Sequence, residues 1–212
     1  MAMEMKTKEN ILEELRENGY AILPDYWSKD KCQEALDQLE SIPMQAFEGG
    51  QGGDKRFQHT NRYSESANEF LNDAFIQDIA NNYSKCKDAD RVMTTVLNHY
   101  PDRESDSGGG WHVDSKQPHQ FKALLYLTDV DEDNGPFTFV RKSRDIVKDL
   151  PMHSNNRITD ETVEENVDPS DVIECLGPAG TCILADTTFL HRGKKIEKGK
   201  RVVYTTYFYD RS

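Results

Sequence analysis

At 212 residues the chain is the size of one domain, able to bury a core without a disulfide or metal holding it together. A net charge of -12 argues against nucleic acid as the main partner, because phosphate binding needs a positive field. No apolar run approaches the roughly 18 residues of a membrane span, and the charged stretch from Met1 to Asn10 lacks a signal-peptide core, so a soluble, cytoplasmic chain with no membrane partner is expected.

Ile11, Leu12 and Leu15 lie on one helical stripe within residues 7 to 18, and Asn18-Gly19 supplies a left-handed stop. Tyr20 to Leu23 reads as a short strand closed by Pro24. Ser28 is an N-cap for a second helix, whose Cys32, Ala35, Leu36, Leu39 and Ile42 recur with helical period until Pro43. Residues 47 to 64 are Gly-rich and polar without either period, and loops of that length are often lids or binding loops. Arg56, Phe57, Arg62 and Tyr63 are therefore candidate substrate contacts, against the plainer reading of a solvated connection. Ser66-x-x-Glu69 forms a capping box ahead of Leu71, Phe75, Ile76, Ile79 and Tyr83, which predicts a third amphipathic helix.

From about residue 91 the pattern changes to strands: Val92 to Tyr100, Trp111 to Ser115, Phe121 to Leu127, Phe137 to Val140, Thr181 to Ala185 and Arg201 to Tyr209. Short strands with turn punctuation and no alternating helices indicate an antiparallel sandwich or barrel, with the preceding helices packed on one sheet. Residues 1–212 thus read as a single domain, mainly β with N-terminal helices (α+β), in which 1–90 is helical support and lid loop and 91–212 is the β core. The acidic segment 145 to 176 reads as a solvated excursion. The four cysteines, Cys32, Cys86, Cys175 and Cys182, lack CxxC spacing and read as reduced thiols.

The stretch Gly108-Gly109-Gly110-Trp111-His112-Val113-Asp114 carries the chemistry. Side chains two apart on a strand share a face, so His112 and Asp114 project side by side. Alone, such a pair is a weak signal, since a polar surface strand carries it equally well. If a distant strand brings in His191, the three form the two-histidine, one-carboxylate facial triad that leaves iron positions open for a co-substrate and oxygen. His119 is an alternative third ligand that a turn would have to fold back; a loop position near the mouth is the simpler reading. His59, His99 and His153 have no partner at ligand spacing.

Arg201 opens the last strand and shares a face with Val203, Thr205, Tyr207 and Tyr209. If that face is interior, a buried guanidinium asks for an anion, and its fork matches a carboxylate. The alternative, of equal weight on spacing, is a solvent-edge start to the strand. The basic run Arg192, Lys194, Lys195, Lys198 and Lys200 is by default a solvated turn, though it could draw an anionic substrate to the rim.

Together, Glu17 to Pro24 with the Ser28 helix, Trp111-His112-Val113-Asp114, Leu125-Tyr126-Leu127 leading to Asp131-Glu132-Asp133-Asn134-Gly135-Pro136, and His191 followed ten residues later by Arg201 resemble the phytanoyl-CoA dioxygenase family. The resemblance spans nearly the whole chain. It implies a double-stranded β-helix, the cupin-like jelly roll, and an Fe(II)- and 2-oxoglutarate-dependent dioxygenase that uses O2 and releases succinate and CO2. It also implies iron held by His112, Asp114 and His191, the distal carboxylate of 2-oxoglutarate held by Arg201, and a co-substrate contact from Asn98. The chain departs from the family at Arg141-Lys142-Ser143-Arg144, where relatives usually carry Pro-Gly-Ser-His, and at Gly193, where a Ser or Thr is common. Because Asp114 is present, hydroxylation of a small, anionic molecule is favoured over halogenation. The alternatives are a prolyl-hydroxylase-like enzyme acting on protein or peptide, and a non-catalytic jelly-roll metal- or ligand-binding protein, against which the Arg201 clamp speaks.

Overall fold

In the computed structural model, described over residues 6–43, 48–49, 54–84, 88–99, 107–114, 121–153 and 156–209, helices form first along the chain and cover a sheet that forms later. Cys86 and His119 lie outside the described residues. Thr7 caps α1 (Lys8–Asn18) by accepting from the Asn10 amide, and Gly19 ends the helix in the left-handed region at φ 84°. A Cβ there would also lie 2.8 Å from the Phe189 ring, so both conformation and space demand glycine. β1 (Tyr20–Leu23) follows, and Ser28 caps α2 (Lys29–Glu40) as its sequence predicts.

The 47–64 stretch shows neither helical nor strand period in sequence, yet part of it is strand. Its described part contains β2 (Glu48–Gly49) and β3 (Lys55–Phe57), an antiparallel pair that extends a sheet, followed by a 3-10 turn at Thr60–Arg62. The third helix is two. Ser64, not Ser66, caps α3 (Glu65–Leu71), while Asp73 Oδ1 accepts from the Phe75 and Ile76 amides at the start of α4 (Ala74–Ser84). Asn72 and Asp73 bond locally to backbone in competition with the helix, a break that the apolar period conceals.

The remaining strands are β4 (Asp88–Asn98), β5 (Ser107–His112), β6 (Phe121–Tyr126), β7 (Phe137–Val140), β8 (Val172–Cys175), β9 (Cys182–Asp186), β10 (His191–Gly193) and β11 (Lys200–Tyr209). They form a seven-stranded sheet, β1-β9-β6-β11-β4-β3-β2, and a four-stranded sheet, β5-β10-β7-β8. Neighbours pair antiparallel, and the two sheets make a cupin-like jelly roll with helices against the larger one, a mixed α+β fold.

Alternation along the strands divides the apolar side chains into three clusters. Val92, Val202, Tyr204 and Phe208 face the helices and pack with Ile11, Leu15, Phe70, Ile76 and Ile79. Leu124, Tyr126, Phe137, Phe139, Ile183 and Val203 fill one part of the space between the sheets. Trp111, Val113, Val140 and Leu190 on the outside of the small sheet are covered by Val147, Leu150, Ile158, Val163 and Val167. That third cluster corrects the reading of 145–176 as a solvated excursion. The segment holds α6 (Asp160–Asn166) and β8, after α5 (Ser143–Ile146), and buries an apolar residue every few positions among its exposed acids.

Candidate metal centre

β5 and β10 are register partners, with His112 directly opposite His191. Their imidazoles therefore share the inward face, ring centroids 4.3 Å apart, while Trp111 and Val113 on the alternate positions turn outward into the third cluster. Asp114, two residues beyond the end of β5, is tied by its amide to the Thr187 carbonyl at 2.9 Å. His112, Asp114 and His191 each offer a ligand atom, and the three lie within 4.8 Å of one another.

Both rings are aimed by the backbone. His112 Nδ1 contacts the Gly110 carbonyl at 2.8 Å and His191 Nδ1 the Phe189 carbonyl at 2.9 Å, so each Nδ1 carries the proton and each Nε2 presents a lone pair. Gly110 presents its carbonyl from φ +81°, a conformation in which a side chain would be strained even though open space surrounds it. Both Nε2 atoms stand 3.9 Å from a carboxylate oxygen of Asp114, too far for a hydrogen bond. Two ligands on one ion, each at about 2.1 Å, sit about 3 Å apart, so a small contraction closes the set around a metal. His191 is 1% exposed and its Nε2 has no hydrogen-bond partner. An orphaned buried nitrogen facing a carboxylate fits a metal ion and has no ready structural purpose.

The electrostatics keep these donors ready. Burial, then the neighbouring His191 and Arg157, push the His112 imidazole down to about 2, and burial also lowers His191, so both rings are neutral near pH 7. Burial works to raise Asp114, but Lys122 and His191 outweigh it and hold the carboxyl below the usual range. Lys122 ion-pairs directly with Asp114 Oδ2, and the Thr187 side chain also bonds the carboxylate.

Arg201 is 5% exposed, which excludes the solvent-edge alternative. It stands opposite Leu97 on β4, on the inward face, and Tyr126 and Asp54 favour its charge against the cost of burial. Asn98 does not join it. The register pairs Asn98 with Lys200, so it shares the face of Val96 and Val202, away from Arg201. Of the four loop candidates, Arg56 lies opposite Thr95 and is bonded to buried Asp54 at 2.9 Å. Phe57 turns to the helix side and packs on the first cluster, Tyr63 is 66% exposed and contacts Phe57, and Arg62 is exposed at the end of the 3-10 turn. His59, His99 and His153 are not part of the cluster.

Four of the five cations in the basic run after His191 are matched by acids. Arg192 pairs with Asp160, Lys194 with Glu174, Lys195 with Glu197 and Lys198 with Asp133. The departure at Arg141 to Arg144 also has a structural reason. Ser143 Oγ accepts from the Leu190 amide at 2.8 Å, and Arg144 ion-pairs with buried Asp186, which Tyr83 and Thr188 also bond, so the approach to His191 is pinned at both ends.

Two polar residues at the site are absent from the sequence-derived candidates. Lys122 interrupts the otherwise apolar run Phe121 to Leu127, which is a usable signal. Arg157 stands in an acidic segment, and only a long-range bridge opposite His112 places it at the centre.

A model of the phytanoyl-CoA dioxygenase family matches residues 15–200. The chain belongs to the phytanoyl-CoA dioxygenase family. Its members are Fe(II)- and 2-oxoglutarate-dependent oxygenases. No curated protein sequence matches the chain. Among solved structures, the chain is similar to the non-heme α-ketoglutarate-dependent epimerase SnoN from nogalamycin biosynthesis (16% identity, TM-score 0.72, covering 96% of this chain and 83% of that one). It is similar to HygX from Streptomyces hygroscopicus with nickel, 2-oxoglutarate and hygromycin B bound (14%, TM-score 0.66, covering 96% and 87%). It is also similar to a Pseudomonas putida prolyl-4-hydroxylase (12%, TM-score 0.67, covering 97% and 100%). At such identities the likeness is one of fold.

Proposed function

We propose that this family member hydroxylates a small molecule, with His112, Asp114 and His191 holding Fe(II) and Arg201 holding the distal carboxylate of 2-oxoglutarate. The observation that carries the reading is the convergence of two neutral, backbone-aimed imidazoles and one ionised carboxylate, with an arginine buried on the inward face of the facing sheet. When bound, Fe(II) would activate O2, the oxidant, with 2-oxoglutarate giving two electrons as it is converted to succinate and CO2, which makes the site oxidising toward the substrate.

This chain's residues supply positioning. The Gly110 and Phe189 carbonyls fix the tautomer and aim of the rings, and Lys122 and Thr187 hold the carboxylate as an anion. Arg201 offers a two-pronged donor in an enclosed space, where a carboxylate gains more than it would in water. The apolar wall of Leu124, Phe137, Phe139 and Val203 keeps water from the interior. Asp114 occupies the position that a halide would need, which supports hydroxylation over halogenation.

Small-molecule chemistry is supported by the neighbours SnoN and HygX, whose names tie them to nogalamycin and hygromycin B. An anionic substrate remains part of the reading, though not through the basic turn, whose Arg192, Lys194, Lys195 and Lys198 already face carboxylates. One catalytic domain in the cytoplasm accords with three free, buried thiols, Cys32, Cys175 and Cys182, and with the absence of a membrane-crossing helix among the described residues. The test is a screen of small molecules with Fe(II), 2-oxoglutarate and isotopically labelled O2. Succinate release coupled to one labelled oxygen in the product supports hydroxylation. Coupled succinate release with an unlabelled, rearranged or desaturated product overturns it.

A further inference from the structure

Asp186 is a buried carboxylate outside the metal-ligand cluster, yet both of its oxygens and its backbone are engaged. Oδ1 accepts from the Thr188 amide at 3.0 Å and from the Thr188 hydroxyl at 2.6 Å. Oδ2 accepts from the Tyr83 hydroxyl at 2.8 Å and ion-pairs with Arg144. The Asp186 amide donates to the Gly19 carbonyl at 2.8 Å, and its carbonyl accepts from the Phe189 amide at 3.1 Å. One residue thus closes the tight turn from Asp186 to Phe189 that links β9 to β10, and ties it to the end of α1, to α4 and to α5.

That turn holds two of the three metal ligands. The Thr187 carbonyl accepts from the Asp114 amide at 2.9 Å, and the Phe189 carbonyl, two residues on, contacts His191 Nδ1 at 2.9 Å. The Phe189 ring is itself seated beside Gly19, with its centroid 5.6 Å from that of Phe139 and the Arg144 guanidinium 4.8 Å above it. Peptide groups are planar, so a rotation within the turn re-aims both carbonyls and moves Asp114 and His191 relative to each other. Metal coordination responds to such shifts, because ligand distances vary by only about 0.2 Å. Burying a carboxylate is costly, and an apolar residue of similar size would fill the same space. What it could not do is hold the turn from both sides.

We infer that Asp186 is a positioning residue of the metal centre: braced by Tyr83 and Arg144, it fixes the turn that sets Asp114 and His191 relative to each other, and so sets metal affinity and ligand field. This rests on the metal triad of the oxygenase reading above and extends it to a group outside the ligand set. Tyr83 and Arg144 act through Asp186, so a change at either, in the helices outside the jelly roll, is felt at the metal.

The test titrates the metal-free full chain with Co(II), whose visible bands report the ligand field while the same titration gives the affinity. Asp186→Asn, nearly the same shape, should weaken Co(II) binding about tenfold or more and shift the bands, as does loss of other groups that orient ligands. Arg144→Met leaves Asp186 with Tyr83 and Thr188, and should weaken binding about two- to fivefold, the range for a partly exposed pair, with Arg144→Lys restoring it. Ile76→Val, in the helix-side core, lowers the melting temperature without touching the turn and should leave affinity and bands unchanged. Parental affinity and bands in Asp186→Asn overturn the inference, as does equal weakening in Ile76→Val. If Asp186→Asn does not fold, parental values in Arg144→Met overturn it. His112→Ala distinguishes the two levels. Binding that depends on His112 but ignores Asp186→Asn and Arg144→Met removes the role of Asp186 and leaves the triad; binding that survives His112→Ala removes the triad and the oxygenase reading with it.

Discussion

Two groups of cations in this chain behave in opposite ways. The run from Arg192 to Lys198 is conspicuous in the sequence, yet four of its side chains meet acids, Lys195 within its own turn and the other three on other segments. Lys122, Arg157 and Arg201 are scattered over 80 residues of chain, and strand register turns them into one interior beside two histidines. Local charge density is thus a poor guide to where charge acts. An exposed pair contributes about 0–1 kcal/mol, whereas a buried cation must be answered by a carboxylate, a ligand or a bound anion.

The sharpest way to break that contrast is at the interior carboxylate and its imidazoles. Asp114→Ala or His112→Ala should abolish metal-dependent turnover of 2-oxoglutarate while the circular dichroism spectrum and cooperative melting persist. Retained turnover would take these residues out of the site.

Next in size is Lys122→Met, which keeps the length of the side chain and removes the charge opposite Asp114. Metal affinity should fall about 10–100-fold, as for other groups that orient a ligand, with little change in the melting temperature. Full metal affinity in this variant would make Lys122 a packing residue only.

The outer cations should be nearly silent. Lys194→Glu with Lys198→Glu should cost no more than about 1 kcal/mol of stability for each pair, measured by urea unfolding, and should leave substrate affinity and its salt dependence unchanged. A large loss of affinity that deepens at low salt would return the basic turn to the role of substrate attractor.

How much of this is legible in the sequence depends on the range of the interaction involved. His112 and Asp114 share a face by period-two alternation, and Gly19 marks a helix end by local backbone sterics, so both are readable from a few residues. The jelly roll and the part played by His191 become legible through ordered motifs resembling a family, because no local rule says which strand stands beside β5. Asn98 shows the limit of that route. Resemblance places it with the co-substrate, while the register opposite Lys200 sends it to the other face. Arg157 had no local signal at all, since its position depends on a bridge 45 residues away in sequence. Lys122 did carry one, as a lone charge within an apolar strand.

The central claim is that the inward faces of the two sheets bring the metal triad and Arg201 into one interior. An anaerobic titration of the metal-free protein with Fe(II) and 2-oxoglutarate reads it directly, through the visible charge-transfer band of a metal-chelated keto acid. The band should form in the parent protein, and Arg201→Ala should shift its 2-oxoglutarate dependence by about 1.5–3 kcal/mol, with Fe(II) affinity unchanged. Iron binding without the band, or a band indifferent to Arg201→Ala, would contradict the account.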